Sequence, residues 1–391
     1  MRNEYSVLEK IRTYQGELAA FRQDLHAHPE LGMEEFRTSQ KVADKLAEWG
    51  IAVHRGVGGT GVVGVLRAGD GPASVGLRAD MDALAMQETG NRPYSSGTAG
   101  RMHACGHDGH TTMLLGAAKY LAETRDFDGT VNFIFQPAEE GRGGAEAMLE
   151  DGLLTRFPCD RIFGMHNWPG YPVGSFAINS GPVMAGGGFF DIVVTGRGAH
   201  GARPEESVDP VLTACHIVTA LQSIVARNVA PRDTAVLSVT KIVGGDAHNV
   251  IPQVARIGGT LRAFDPALLA RIKERMATVA SGVAMAFGAT AELSFGVRFA
   301  PTVNDEECAR EFADAAQDIG GEITVDRAMA PVMGSEDFSF MLEAVRGAYI
   351  CIGNGDSAPL HHPDYDFNDE AIAYGASALA RVVERVMQPP G

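Results

Sequence analysis

The stretch TVNFIFQPAEEG, residues 130–141, is an apolar run typical of a buried β-strand that ends abruptly in polar residues. Similar short β-rich runs occur at 59–69, 73–84 and 161–169, and a helix is predicted at about 108–124. Strands that alternate with helices in this way predict an α/β fold, with a mostly parallel sheet covered by helices. In open sheets of this kind, ligands bind beyond the carboxyl ends of the strands.

The pattern changes after the glycine run at 186–188. The following segment predicts the order strand, helix, strand, strand, helix, strand, which is the βαββαβ arrangement of a ferredoxin-like domain. The remaining residues return to mixed strand and helix, with a buried strand at 347–353. We therefore predict one α/β domain, made of residues 1–185 and 301–391, that is interrupted by an inserted domain, residues 186–300.

Composition limits the classes of partner. The formal charge of −16, from 33 basic and 49 acidic residues, provides no basic surface for nucleic acid and would repel an anionic membrane. No apolar stretch suggests a membrane span or the core of a signal peptide. Five widely spaced cysteines without a CxxC pair do not fit a disulfide framework. A small-molecule partner and a cytoplasmic location are expected.

The densest group of chemically versatile side chains is HACGHDGH, residues 103–110, just before the predicted helix. Thiolate and imidazole are natural ligands of zinc and related metals, and Cys105 and His107 could face one centre from a turn. The alternative is a polar loop with His110 directed outward on the following helix.

Glu139 and Glu140 directly follow the apolar strand. Adjacent carboxylates repel each other unless a cation or a proton relieves them, so one can bind a metal while the other moves protons. The alternative is a solvated helix start, since acidic residues favour the first turn of a helix.

Histidines also occur near the ends of two other predicted strands. His166 closes one of them, and the pair His361-His362 lies in the last loop before the C-terminal helix. Alone, each is more typical of an ordinary hydrogen-bonded residue. Four separate clusters of this kind nevertheless supply about five Cys, His and Glu donors, which is enough for two metal ions sharing a water or bridging group.

Seven ordered motifs closely resemble a family of metallo-amidohydrolases. The family includes hippurate hydrolases, N-acyl-L-amino acid amidohydrolases, N-acetyldiaminopimelate deacetylases and plant hydrolases of auxin–amino acid conjugates. The motifs are HACGHDGH (103–110), QPAEEG (136–141), MHNWP (165–169), GAHGARPEESVDP (198–210), HNVIP (248–252), GSEDFS (334–339) and LHHPDYDFND (360–369). The resemblance implies a zinc-peptidase-like catalytic domain with two divalent metals, and an inserted lid domain that forms a homodimer or a higher homo-oligomer.

Transferred residue by residue, the resemblance assigns the metal ligands and the catalytic base. Glu139 would be the base, and the metals could be Zn, Mn, Co or Ni. The last ligand is ambiguous because two histidines are adjacent, and we choose His361, with His362 as the alternative. The implied ligands are Cys105, His107, Glu140, His166 and His361.

The resemblance also implies three functional residues in the inserted domain. His200 would stabilise the oxyanion in the active site of the partner subunit, and Asn249 and Arg262 would hold the substrate carboxylate, for which arginine is well suited. Alternatively, Arg262 is a strand residue in an ion pair.

Three acidic residues keep open roles. Asp80 either orients the metal site or pairs with Arg78 as a loop carboxylate. The sequence does not decide whether Glu336 and Asp337 touch substrate or support their loop.

The function expected is metal-dependent removal of the acyl group from an N-acyl-L-amino acid, a hippurate-like or N-acetyl compound, through an activated water. Hydrolysis of dipeptides or other aminoacyl amides at the same site is the nearest alternative. A non-catalytic metal-binding protein is a further alternative, although such a protein has no need of Glu139 as a base.

Overall fold

A computed structural model describes residues 6–389 of the chain. The chain divides into a first unit, Met1–Val183, Val303–Ala330 and Asp337–Gly391, and a second unit, Met184–Thr302 and Pro331–Glu336. Residues 1–5 and 390–391, which the predicted first and last domain segments include, lie outside the described residues.

The second unit includes a short segment that the sequence placed with residues 301–391. Backbone pairing explains why Pro331–Glu336 groups there. The N–H of Ala185 lies 3.1 Å from the carbonyl of Val332 and 2.9 Å from that of Gly334. The segment therefore joins the start of the second unit by main-chain hydrogen bonds.

The elements fall into three successive groups along the chain. The first group is α1 (Val7–Arg12), α2 (Gln15–Ala27), α3 (Phe36–Glu48), β1 (Ala52–Val57), β2 (Gly61–Ala68), β3 (Ser74–Asp80), α4 (His107–Thr124), β4 (Gly129–Gln136), α5 (Gly144–Glu150), α6 (Leu153–Arg156), β5 (Arg161–Trp168), β6 (Ser175–Ala177) and β7 (Gly181–Met184). The second is β8 (Gly186–Thr195), β9 (Ala199–His200), a 3₁₀ turn (Pro204–Glu206), α7 (Pro210–Asn228), β10 (Ala235–Gly244), β11 (Val250–Ile251), β12 (Val254–Ala263), α8 (Pro266–Ala286) and β13 (Thr290–Phe299). The last is β14 (Thr302–Asn304), α9 (Glu306–Gln317), β15 (Thr324–Asp326), α10 (Phe338–Ala344), β16 (Gly347–Gly353) and α11 (Ala371–Val386).

The first unit contains an eight-stranded sheet in the order β1-β2-β4-β3-β5-β16-β6-β15. The α/β class is confirmed, and the four central strands, β4, β3, β5 and β16, run parallel. The sheet as a whole is mixed, because β1, β2 and β4 pair antiparallel and so do β16 and β6. Only three residues join β1 to β2, and so short a connection can join only antiparallel neighbours.

The central strands position the functional residues of the first unit. Parallel strands end at the same edge of a sheet, so Asp80, Gln136 and Trp168, the last residues of β3, β4 and β5, bring their following loops together. Helix α4, most of whose residues are buried, packs beside α11. The first unit thus places its polar loops at the carboxyl edge of an apolar sheet.

The second unit has a four-stranded antiparallel sheet in the order β10-β12-β8-β13. Helices α7 and α8 pack against each other and against this sheet. The main elements follow one another as strand, helix, strand, strand, helix, strand, with β9 and β11 forming a separate short pair.

Helix α7 is long and apolar enough to cross a membrane by length and composition alone, contrary to the expectation that no stretch would be. Its apolar residues Ala214, Ile217, Leu221 and Ile224 recur at helical spacing and are fully buried in the core of the second unit. Packing thus explains the apolar residues on this face of α7.

Candidate metal centre

The loop before α4 presents two of the predicted ligands. Gly106, between Cys105 and His107, has a φ of +88°, which glycine adopts without strain. A Cβ at this position would lie 2.4 Å from Nδ2 of Asn167 and 2.5 Å from the hydroxyl of Tyr365. The backbone therefore needs glycine here to set the spacing of the thiol and the imidazole.

All five predicted ligands and Glu139 lie in one cluster. Three groups made up only of these residues each have their ligand atoms within 4.8 Å of one another, and Cys105, His107 and Glu140 each belong to two of them. Sγ of Cys105 lies 3.4 Å from Nε2 of His166, and Nε2 of His361 lies 3.2 Å from Oε1 of Glu140. The groups are Cys105, His107 and His166; Cys105, Glu140 and His361; and His107, Glu139 and Glu140.

The cluster has the character of a metal site. Nε2 of His107 is buried and has no hydrogen-bond partner among the described residues. Buried polar atoms without partners are unfavourable unless something else satisfies them. A set of sulfur, nitrogen and oxygen donors suits zinc and its neighbours in the first transition series. These residues therefore fit divalent metal ions.

Asp82 joins two of the ligand segments and was not singled out from the sequence. Nδ1 of His107 donates to Oδ1 of Asp82 over 3.1 Å, and the N–H of Glu140 donates to Oδ2 over 3.0 Å. A carboxylate on the second ring nitrogen fixes the tautomer and the orientation of a ligand histidine. The sequence feature that could have indicated Asp82 is its spacing from Asp80, because residues two apart on an extended chain face the same side.

Asp80 has contacts that agree with both of its predicted roles. Its Oδ2 accepts a hydrogen bond from Arg78 over 2.7 Å, and its Oδ1 lies 2.6 Å from Nδ1 of His110. Nε2 of His110 in turn accepts from the backbone N–H of Asn167 over 2.9 Å. His110 is therefore buried inside the site, and the interpretation that placed it on an outward face is wrong.

Asp337 supports the loop after β4. Its Oδ1 accepts from Arg78 over 3.1 Å and from Gln136 over 2.7 Å, and its Oδ2 accepts from the N–H of Ala145 over 3.0 Å. Asp337 and Arg78 are both buried. The structure thus gives Asp337 a supporting contact with the carboxyl end of β4 and with the start of α5. Glu336 belongs to the second unit.

The two adjacent histidines have different surroundings. The N–H of His361 donates to the carbonyl of Ala104 over 2.8 Å, and the ring reaches Glu140. His361 also has a φ of +61°, which is uncommon for a residue with a side chain. His362 accepts a hydrogen bond at Nδ1 from the N–H of Asp364 over 3.1 Å and is not in any of the donor groups.

Burial and neighbouring groups set the protonation of the site. Burial raises the pKa of the Cys105 thiol, and burial lowers the pKa of His166 well below its usual value. Hydrogen bonding to Cys105 and Glu140 raises the pKa of His361 to about 10. Without metal, His166 is therefore neutral and His361 protonated, so that metal binding at Cys105 and His361 must release protons.

The three residues assigned to substrate or oxyanion lie in the second unit. His200 is exposed on β9 and pairs with Val250 of β11, next to Asn249. Nη1 of Arg262 donates to the carbonyls of Gly188 and Leu261 and to the hydroxyl of Thr260, so its hydrogen bonds in the described part of the chain go to uncharged groups. This pattern does not support the ion-pair interpretation of Arg262.

The chain is similar to a known protein family and to characterised relatives. The family model described as Peptidase family M20/M25/M40 matches residues 76–385. A hippurate hydrolase from Campylobacter jejuni is 42% identical over 383 residues, which cover 98% of this chain and 100% of that protein. An IAA-amino acid hydrolase ILR1-like 4 from Arabidopsis thaliana is 40% identical, covering 98% of this chain and 89% of that protein.

A solved structure agrees in fold. A dinuclear metal-binding peptidase of the M20 family from Bacillus subtilis superimposes with a TM-score of 0.83 at 34% identity. The match covers 96% of this chain and 99% of that one.

Proposed function

The chain belongs to peptidase family M20/M25/M40, and from that membership we propose that it removes the acyl group from N-acyl-L-amino acids with two divalent metal ions. The family and its hydrolase relatives make the chain a metallo-amidohydrolase, as the sequence predicted. Hippurate and IAA–amino acid conjugates both join an acyl group to an amino acid through an amide. The proposed substrate is therefore of the same chemical type.

The observation that carries the proposal is the shared position of Cys105. Its sulfur belongs both to the group with His107 and His166 and to the group with Glu140 and His361. His107 and Glu140 each belong to two groups as well, so the donors form one connected cluster, as expected where two metals lie side by side and share a ligand. We propose Cys105, His107, Glu140, His166 and His361 as the ligands, and zinc, manganese, cobalt or nickel as the metals.

Glu139 is the proposed catalytic base. When bound, the metals would lower the pKa of a water molecule and polarise the carbonyl of the amide. Glu139 lies in a donor group with His107 and Glu140, so its carboxylate is close to the proposed ligands. It would take the proton of the attacking water and return that proton to the departing amine. Asp82 would hold the ring of His107 in place throughout.

The second unit supplies the proposed contacts with substrate. His200 would steady the negative charge that develops on the carbonyl oxygen, and Asn249 and Arg262 would bind the carboxylate of the amino acid. The hydrogen bonds of Arg262 to uncharged groups support this assignment, because they leave its positive charge available. We also propose that the second unit acts as a lid and forms a homodimer, and that the enzyme is cytoplasmic.

A substrate and metal panel tests the proposal. The purified chain is stripped with EDTA, reloaded separately with Zn²⁺, Mn²⁺, Co²⁺ or Ni²⁺, and assayed on hippurate, N-acetyl amino acids and dipeptides. We expect two metal ions per chain by elemental analysis, loss of activity with EDTA and recovery with at least one metal. Faster hydrolysis of dipeptides than of acyl amino acids would overturn the substrate class. No hydrolysis of any amide with any metal would favour a metal-binding protein without catalysis.

A further inference from the structure

We propose that Glu35 is a positioning residue for catalysis, which fixes the turn that presents Glu139 by accepting a hydrogen bond from the N–H of Ala138. This inference rests on the proposed role of Glu139 as the base. Glu35 belongs to none of the donor groups around Cys105 and to none of the motifs on which the family resemblance depends.

The carboxylate of Glu35 is held at both oxygens. Its Oε1 accepts from the backbone N–H of Ala138 over 2.8 Å, and its Oε2 accepts from the hydroxyl of Thr60 over 2.5 Å. Glu35 is fully buried, and both bonds connect parts of the chain that are distant in sequence. Burial raises the pKa of Glu35 to about 7, which shows how strongly this side chain is removed from water. Burial of a carboxyl group is unfavourable, so its presence at this position requires a structural explanation.

The backbone conformation of Ala138 provides this explanation. Ala138 directly precedes Glu139, and its φ of +55° lies in the left-handed region that a residue with a Cβ adopts at a cost of roughly 1–2 kcal/mol. Strain of this kind persists only where surrounding contacts enforce it. The hydrogen bond from Ala138 to Glu35 is such a contact, and the carbonyl of Ala138 accepts a second bond from the N–H of Gly144 over 3.1 Å.

Residues close to Glu35 in the sequence contact the same turn, which contains Ala138 and Glu139. The carbonyl of Gly32 accepts from Nη1 of Arg142 over 2.9 Å. A Cβ at Gly32 would lie 2.9 Å from Cα of Ala138, so glycine permits the close approach. The segment 30–35 therefore packs directly against the turn that carries both acidic residues.

The same segment also reaches the loop of Asp82. The N–H of Ala83 donates to the carbonyl of Glu30 over 2.8 Å, and Leu31 forms a parallel bridge with Ala83. One short piece of chain thus contacts the residue after Asp82 and the residue before Glu139. Loss of Glu35 should change the orientation of the base more than the binding of substrate, because neither contact lies in the donor cluster itself.

The test compares three variants at Glu35 with a matched control. Glu35→Ala removes the acceptor, Glu35→Asp withdraws it by one methylene, and Glu35→Gln keeps an oxygen that can accept from Ala138. Glu34→Gln changes the neighbouring acid, which is half-exposed and pairs with Arg101. We expect Glu35→Ala and Glu35→Asp to lower kcat by about 100-fold with KM and metal content near wild type, because small misplacement of a catalytic group has effects of that order. Glu35→Gln should restore most of kcat, and Glu34→Gln should match wild type.

A second measurement does not depend on activity. Hydrogen–deuterium exchange of the peptide covering 137–145 is followed in the metal-free protein, where we expect faster exchange in Glu35→Ala and Glu35→Asp and wild-type protection in Glu35→Gln. Unchanged protection in Glu35→Asp, or equal loss of kcat in Glu35→Gln and Glu35→Ala, would overturn the positioning role. If the wild-type chain hydrolyses no acyl amino acid while the exchange pattern is as expected, the proposed function fails and the structural part of this inference stands.

Discussion

Oδ1 of Asp82 lies 3.1 Å from Nδ1 of His107, on the side of the ring opposite Nε2, which has no hydrogen-bond partner within residues 6–389. The second oxygen of the same carboxylate accepts from the N–H of Glu140, so one side chain orients two proposed ligands. The arrangement leaves Nε2 of His107 as the nitrogen available to a metal.

Replacing Asp82 by Ala should therefore weaken metal binding by roughly 10- to 100-fold, the usual effect of losing a partner that orients a ligand. Competition with a fluorescent chelator measures the change in affinity. Asp70→Ala, at an exposed position, is the control and should bind metal as the wild type does. Equal metal affinity in Asp82→Ala and wild type would show that His107 needs no such support.

Glu139 and Glu140 should separate into two functions although they are adjacent. Glu139→Gln should keep its metals and lose roughly 10²- to 10⁴-fold in kcat, the range for loss of a general base. Glu140→Gln should instead lose metal, because its carboxylate lies in the group with Cys105 and His361. Elemental analysis and steady-state kinetics of both variants, prepared alike, make the comparison, and near-normal kcat in Glu139→Gln would contradict the assignment of the base.

His361 and His362 are also adjacent, and we expect only His361 to be a metal ligand. Loss of a residue that only orients a ligand, such as Asp82, lowers metal affinity by roughly 10- to 100-fold. We expect His361→Ala to lower it by more, because this variant removes a ligand itself. His362→Ala should retain metal and most of the activity, because its ring accepts a hydrogen bond from the N–H of Asp364 and lies outside the donor groups. The reverse result would move the ligand to His362.

Asp337 should matter for stability. Its replacement by Ala removes one of two carboxylates from the buried guanidinium of Arg78, which keeps Asp80, and leaves the buried N–H of Ala145 without its acceptor. We expect a loss of about 1–3 kcal/mol of unfolding free energy, the cost of an unpaired buried polar group. Urea denaturation at constant pH measures the effect through the midpoint. Asp151→Ala breaks an exposed pair with Arg156 and should change the unfolding free energy by less than about 1 kcal/mol. Similar midpoints for both variants would exclude a strong buried pair.

Glu35 should make the stability of the metal-free protein depend on pH. Burial raises the pKa of Glu35 from 4.5 to about 7, so the folded state holds this proton more tightly than the unfolded state does. The stabilising contribution is then fully present below about pH 4.5 and is lost as the pH rises through about 7. The two pKa values differ by an amount that corresponds to about 3 kcal/mol.

Denaturation of wild type and Glu35→Gln in EDTA between pH 5 and pH 8 isolates this contribution. The stability of wild type relative to Glu35→Gln should fall across the range, since the glutamine does not titrate. A relative stability that rises with pH would mean that the carboxylate is favoured in the folded state.

The sequence predicted most of what local patterns encode. Alternating apolar runs gave the α/β class and the carboxyl-edge position of the polar loops, and the ordered motifs placed Cys105 and His166, 61 residues apart, in one cluster, where their ligand atoms lie 3.4 Å from each other. Glu35 could not be found in this way. Its partner Ala138 is 103 residues away and donates through the backbone, so no side chain in the sequence marks the contact.

The role of Asp82 and the antiparallel edge of the sheet were not predicted, for related reasons. Asp80 and Asp82 are equivalent in pattern, and only the position of the His107 ring shows which carboxylate reaches it. The antiparallel edge follows from how β2 pairs with β4, a contact between strands about 70 residues apart. Apolar pattern predicts that a strand is buried, but it does not predict the direction of its neighbour.

The strand order of the first unit also determines when the protein can fold during synthesis. Strand β16 lies inside the sheet, between β5 and β6, yet it is made after the whole of the second unit. A ribosome-bound chain that ends before residue 347 can complete the second unit, since domains fold as units while translation proceeds. It would still expose the unpaired edge of β5 and lack His361. Nascent first units are therefore open to aggregation until the last part of the chain emerges, and a chaperone would be needed most in that interval.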